Sequence, residues 1–292
     1  GMIIPISAFA NNSMKELSCL FKNEFGRLYI STYHQRPAQL FDGVLQRLSI
    51  FLTDKNKSNR CVFTTGIYRW YTENRNTLFQ TINYIETPQE HQSHFVKLGT
   101  DLEVGIFSKY IRNAPISHYV GVTANPENSL YYRTAGGGYW VTFLNSEFDC
   151  ISVSNKHTVI KDGIKAKEIS AALNSNLFWW YYSINYDLFN FKDYMIFGFQ
   201  FSCYVDNPKS ELIQLSDEME KHLRDNAIFY TINSITQGAN ETVTYQKFKS
   251  KHIMDQIDMM LGKHYGFTEE ELDFIINYDI KYRMGDELNT EE

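Results

Sequence analysis

Eight histidines, four cysteines and 34 acidic residues are the raw material for catalysis in this chain, and their spacing assembles little of it. The histidines are scattered (His34, His91, His94, His118, His157, His222, His252, His264), and only His91 with His94 has a metal-ligand spacing. That pair sits in a polar stretch with no further ligand in view, so it reads as a solvated loop sooner than as a metal site. Cys19, Cys61, Cys150 and Cys203 are far apart and contain no Cys-x-x-Cys pair, which fits thiols of a reducing cytoplasm better than disulfides or zinc. The acidic run from Glu269 to Asp273 fits a solvated helix start favoured by the helix dipole. Gly-x-Ser-x-Gly, His-Glu-x-x-His, Walker and Gly-x-Gly-x-x-Gly patterns are all missing. Gly136-Gly137-Gly138 is no phosphate loop, because no Lys-Ser/Thr and no helix signal follow it; it predicts a tight hairpin or a close backbone approach.

Other residue types could bind rather than react. The chain carries 20 Tyr and 21 Phe in 292 residues, material for a core or for a surface that stacks on bases or sugars. The formal net charge is -6, yet it is unevenly placed. Residues 268–292 hold nine acids and two bases, which leaves 25 acids and 26 bases for the rest. Residues 1–100 hold 11 bases and seven acids. A local basic face is compatible with this distribution; a general polyanion binder is not.

The elements that must position these residues follow from periodicity. Residues 2–8 predict a short buried strand, and Ser13 with Glu16 a capping box that opens a helix running to Gly26. Arg27–Thr32 and Arg47–Leu52 read as strands on either side of a loop, Tyr33–Val44. The polar run Asp54–Asn59 marks a boundary. Beyond it, strand-like segments fill residues 60–165, with a helix expected near Glu73–Ile85 and strands at Leu130–Arg133 and Tyr139–Phe143. Helical spacing returns at 166–184 and 209–235. Two more helices are expected at the end, the second opened by Thr268 and Glu271 as a capping box. No apolar run approaches the ~20 residues of a membrane span. The start, Met2-Ile3-Ile4-Pro5-Ile6, lacks the basic and long apolar parts of a signal peptide, and Gly1 reads as a tag scar.

One stretch is less generic. "YISTYHQRPAQLFDGVLQRLSIFL" (29–52) resembles the segment that follows the catalytic motif in adenine-N6 DNA methyltransferases of large restriction–modification proteins. "MIIPIS" and "NNSMKELSCLF" resemble the strand and helix before it. "IYRWYTENRNTLF" (67–79), "YYRTAGGGYW" (131–140) and "ALNSNLFWWYYSINYDLFNF" (172–191) resemble that family's target-recognition region, and "IDMMLGKHYGFTEEELDFIINYDIKYRMG" (257–285) its C-terminal end. The family's glycine loop for S-adenosylmethionine and its Asn/Asp-Pro-Pro-Tyr/Phe motif have no counterpart; Asn113-Ala114-Pro115, Asn125-Pro126-Glu127 and Asn207-Pro208-Lys209 lack the second proline followed by an aromatic.

The resemblance implies an α+β or α/β chain in three parts. Residues 2–54 would be a strand–helix–strand–strand remnant of a doubly wound methyltransferase sheet. Residues 60–248 would form a mixed α/β target-recognition domain and 249–292 a C-terminal helical segment. The implied partner is double-stranded DNA, with a separate N-terminal methyltransferase chain as a second one. No cofactor is expected in this chain alone; S-adenosylmethionine would bind only with the missing N-terminal half. Tyr33 or Phe41 could stack on an extruded base, and Arg36 or Arg47 could hold a phosphate; core packing and a structural ion pair are the competing readings. Arg69, Arg75, Arg133, Asn155, Lys156 and His157 are candidates for reading base edges or phosphates. Trp179–Tyr182 has core-like spacing, and Asn174-Ser175 could meet either phosphates or the helix backbone. The expected setting is cytoplasmic and away from membranes. Two rival functions stay open: a subunit of a split, active methyltransferase, and a carbohydrate-binding module using the aromatics.

Overall fold

The computed structural model describes residues 1–292 except 55, 57–59, 89–93, 123–125, 136–139, 190, 204–210, 235–237 and 285–292. The chain forms two compact units. The first is Gly1–Ser108 with Tyr181–Asp187, the second Lys109–Trp180 with Leu188–Glu292.

The first unit is built on five strands: β1 (Met2–Pro5), β2 (Arg27–Tyr33), β3 (Leu48–Thr53), β4 (Cys61–Tyr68) and β5 (Ile85–Glu86). Helix α1 (Lys15–Glu24) joins β1 to β2, as the periodicity predicts, and β3 follows after a long loop. The sheet order is β1-β3-β2-β4-β5. β3 returns antiparallel and inserts between β1 and β2, so among the described residues of this sheet only β2 and β4 pair in parallel. The sheet is therefore mixed, in place of the largely parallel sheet of a doubly wound fold. The polar break at 54–59 falls inside this sheet, because β4 lines up beside β2 immediately after it.

Alternation along β2 fills both faces. Leu28 and Ile30 pack with Phe9, Phe21, Phe51 and Phe95. Tyr33, on the other face, packs with Ala38, Leu40, Leu48, Trp70 and Leu78. The start of α1 differs from expectation: Asn11 caps the preceding turn by accepting the Ser13 N–H at 3.1 Å. The helix expected at Glu73–Ile85 is a 3-10 stretch, Thr72–Gln80. Its Thr72, Asn74, Asn76 and Thr77 compete with the backbone for hydrogen bonds and weaken an α-helix.

Helix α2 (Asp101–Tyr110) ends in the second unit, which holds β6 (Ser129–Arg133), β7 (Phe143–Leu144) and β8 (Asn155–Val159) in the order β7-β6-β8. The strand expected at Leu130–Arg133 is present, but of the one expected at Tyr139–Phe143 only Phe143 lies in a strand, β7, which pairs antiparallel with β6; the glycine triplet and Tyr139 lie outside the described residues. The helical stretch at 166–184 divides into α3 (Ala166–Leu173) and α4 (Asn176–Asn185). Asn174 and Ser175 make the break, and both bond to backbone: Asn174 Nδ2 donates to Phe143 O and Ser175 Oγ accepts the Phe178 N–H. Trp179, Trp180, Tyr181 and Tyr182 are buried, as their spacing predicts.

After α5 (Asp193–Phe197) comes α6 (Glu211–Asp225), shorter than the 209–235 expected. The rest becomes β9 (Ala227–Ser234), an antiparallel ribbon with β10 (Gly238–Tyr245). Ile228-Phe229-Tyr230-Thr231-Ile232 is β-branched and aromatic at every position, which favours a strand once the amphipathic period lapses. Helices α7 (Lys251–Tyr265), α8 (Glu269–Ile276) and α9 (Ile280–Arg283) close the chain. Gly266 ends α7 at φ 70, and Thr268 with Glu271 forms the expected capping box.

Candidate functional site

Each unit gathers part of the predicted set. In the first, the gathering point is one end of the five-stranded sheet. Tyr33 pairs with Leu48 of β3 and Tyr68 of β4. One position further on lie His34, Arg47 and Arg69, and the His34 N–H donates to Tyr68 O at 2.9 Å. Arg36 turns back over the same point: its N–H donates to His34 Nδ1 at 3.1 Å, ahead of a cis Arg36–Pro37 peptide. His34 is buried, and burial pushes its pKa down to about 3, helped by the positive charges of Arg69, Arg47 and Arg36. The imidazole is neutral at pH 7, and its Nδ1 lies 3.1 Å from Arg36 N and 3.0 Å from Arg36 O.

Other members of the first set have different places. Tyr33 is fully buried and its hydroxyl donates to Ser31 Oγ at 3.0 Å, so it is a core residue and offers no face to a base. Phe41, 44% exposed, does offer one. Arg75 is spent on the loop itself, donating to Leu40 O, Gln39 O and Asp42 Oδ1 at 3.1, 2.8 and 3.0 Å. That is the work of a clamp, which holds the segment bearing Phe41. His94, half of the metal-spaced pair, bonds through Nε2 to Asn185 Oδ1 at 2.9 Å in a buried site, and burial lowers its pKa to about 4. His91 lies outside the described residues. Among the described residues no group of three His, Cys, Asp or Glu could hold a metal ion. The four cysteines are free; Cys150 and Cys203 are buried, whereas Cys19 is exposed.

In the second unit, strand register brings three candidates onto one face. Arg133 pairs with Asn155 and Tyr131 with His157 across β6 and β8. Arg133 Nε donates to Asn155 Oδ1 at 2.9 Å, Nη1 donates to Val243 O at 3.2 Å, and the guanidinium lies 4.7 Å from the centre of the Phe148 ring. The imidazole of His157 packs at 5.6 Å from the Tyr131 ring. Lys156 alternates to the opposite face and pairs with Asp193 at 3.2 Å. Two open cavities flank Phe148. One, of about 190 Å³, is lined by Arg133, Trp140, Phe191 and Tyr245 among others. The other, of about 180 Å³, is lined by Tyr131, Asn155, Lys156 and His157.

Two features of this cleft escape a reading of the sequence. Ile151, 100% exposed, and Val153 stand on the loop that leads into β8. The β9–β10 ribbon, whose Val243, Thr244 and Tyr245 wall the first cavity, exposes Ile228, Phe229, Tyr230 and Ile232. The β-branched and aromatic run at 228–232 is the signal that could have revealed the ribbon.

The arrangement offers hydrogen-bond donors, ring faces and apolar tips. Burial pushes the Cys203 thiol far above its usual range, which leaves it a poor nucleophile, and His222 Nδ1 lies 2.8 Å from Ser250 Oγ. What these elements define is a mixed α/β protein with a donor-lined cleft. No family model matches the chain and no curated protein matches it.

Proposed function

We propose that this chain reads double-stranded DNA for an adenine-N6 methyltransferase, with the methyl-donor pocket and the transferring residues supplied by another polypeptide or segment. The observation that carries the reading is the β6–β8 face. Arg133, Asn155 and His157 stand side by side there, beside two open cavities and the exposed Ile151 and Val153. Arginine and histidine are donors suited to base edges and phosphates, Asn155 fixes the arginine while its own amide donates to Cys150 O at 2.9 Å, and exposed aliphatic tips suit contact with bases or sugars. The arginine is held in place by Asn155 and Val243 O, so little side-chain freedom is left to lose on binding.

The first unit supports the same reading. β1 is an edge strand in the described sheet, with Met2 and Ile3 each 50% exposed. An open apolar edge accepts a further strand, as a sheet completed by a partner requires. This is also the basis of the split-subunit alternative, in which activity returns when a partner supplies the donor loop and the Asn-Pro-Pro-Tyr motif.

The test is binding of a mixed-sequence duplex pool followed by sequencing of the bound fraction. Enrichment of a short motif, with affinity falling steeply as salt rises, is the expected result. S-adenosylmethionine should show no tight binding to the chain alone in calorimetry; tight binding would overturn the division of labour. A second reading is favoured by one feature: Trp140, Phe148, Phe191 and Tyr245 line a small cavity beside Arg133, a combination that also suits a sugar ring. Retention on a glycan surface without duplex binding would select it.

A further inference from the structure

Three arginines gather at the end of the first unit's sheet around His34. His34, Arg47 and Arg69 occupy the positions just past the paired residues Tyr33, Leu48 and Tyr68 on three adjacent strands. Neighbouring strands are ~4.8 Å apart, so the three residues spring from one short row of backbone. Arg36 is tied to the row through its own N–H on His34. Arg36 is exposed and Arg47 partly so, whereas Nε of Arg47 and Nε and Nη2 of Arg69 are buried. The cluster thus runs from the interior to solvent. The charged groups that lower the pKa of the His34 ring are Arg69, Arg47 and Arg36.

We propose that Arg36, Arg47 and Arg69, gathered around His34 at this end of the sheet, bind a phosphate group. The geometry suits that ligand for three reasons. A guanidinium binds phosphate oxygens with two parallel N–H bonds, and several arginines can divide the oxygens among them. A neutral imidazole at the centre of the row adds no charge to the site and is held in place by Arg36 through Nδ1. The site also lies past the carboxyl ends of the parallel pair β2 and β4, where open α/β sheets place their ligands. The inference rests on the proposed function only for the source of the phosphate, a DNA backbone diester; the same chemistry would take a nucleoside monophosphate.

The experiment uses the full chain, with inorganic phosphate, deoxyadenosine monophosphate and a DNA duplex as separate probes. Ring resonances of His34 are followed by NMR, and affinity by calorimetry. Inorganic phosphate should shift the His34 signals. The solvent-side double variant Arg36→Ala with Arg47→Ala should weaken phosphate binding at least about tenfold while circular dichroism stays that of the folded chain. The Arg36→Lys, Arg47→Lys variant, which keeps charge and loses the fork, should fall between. Phosphate that leaves the His34 signals unmoved, or binds the alanine variant as tightly as the original chain, overturns the site. If the duplex binds and depends on Arg133 and Asn155 but not on Arg36 and Arg47, and inorganic phosphate and the nucleotide do not bind through these arginines either, the phosphate site fails and the DNA reading stands. If phosphate or the nucleotide binds through these arginines while the duplex does not, the site stands and the DNA reading fails.

Discussion

At the scale of single residues, His34 shows how far a side chain's neighbours set its chemistry. An isolated histidine titrates near 6.5; this one, buried and beside Arg69, Arg47 and Arg36, titrates at about 3. Between those values the unfolded chain binds a proton that the folded chain does not. Stability from this group is therefore complete above about pH 6.5 and is lost progressively as pH falls toward about 3. His94, lowered to about 4, acts in the same direction. Urea unfolding at about pH 6.5 and about pH 4.5 should show a stability drop that shrinks by about 2 kcal/mol in His34→Gln. An unchanged drop would mean that His34 is charged in the folded state. The cleft gives a second residue-scale prediction. Arg133→Ala should cost about 1–3 kcal/mol of duplex affinity and relax the preference at one base position, whereas Lys156→Ala, whose ammonium is turned to Asp193, should cost under about 1 kcal/mol. Equal losses in both, read by fluorescence anisotropy, would contradict the placement of these side chains on opposite faces.

At the scale of elements, the sequence foretold those parts that local chemistry decides. The strands at 27–32 and 47–52, the helix between Ser13 and Gly26 and the Thr268–Glu271 capping box all recur within a residue or two. What local pattern does not encode is which strands pair. The insertion of β3 between β1 and β2, the register that sets Arg133 against Asn155, and the row His34–Arg47–Arg69 are long-range outcomes. The ribbon β9–β10 was hidden by the amphipathic run of α6, which ends at Asp225 without a glycine or proline. Helix α4 shows the same division. Its apolar sequence announces a buried helix, but its cap comes from 82 residues away. Asp258 accepts the Asn176 and Leu177 N–H groups at 3.0 and 3.1 Å and the Asn176 side chain at 2.7 Å, all buried. Removing that carboxylate leaves buried helix-end donors unmatched. Asp258→Ala should destabilise the chain by about 3 kcal/mol, and Asp258→Asn, which keeps one acceptor, by less. Thermal or chemical denaturation decides it; a loss under about 1 kcal/mol would show that solvent or another group can take over the cap.

At the scale of the whole molecule, the puzzle is a net charge of -6 on a chain proposed to meet DNA. The distribution resolves it only if the acidic end is a removable burden and no part of the contact surface. Residues 285–292 contain four acids and no base, so deleting them takes the formal charge from -6 to -2. A uniform field acts on the rate of encounter more than on the contacts made after it. Deletion of 285–292 should therefore raise the duplex association rate several-fold at low ionic strength and leave the dissociation rate nearly unchanged. The gain should vanish at about 1 M salt, where charges are screened beyond ~3 Å. Stopped-flow mixing with a labelled duplex separates the two rates. If the deletion changes dissociation instead, the acidic end touches the complex directly. If it changes neither rate, the long-range field around this chain is not what governs its approach to DNA, and recognition must depend on the short-range donors of the β6–β8 face and the arginines beside His34.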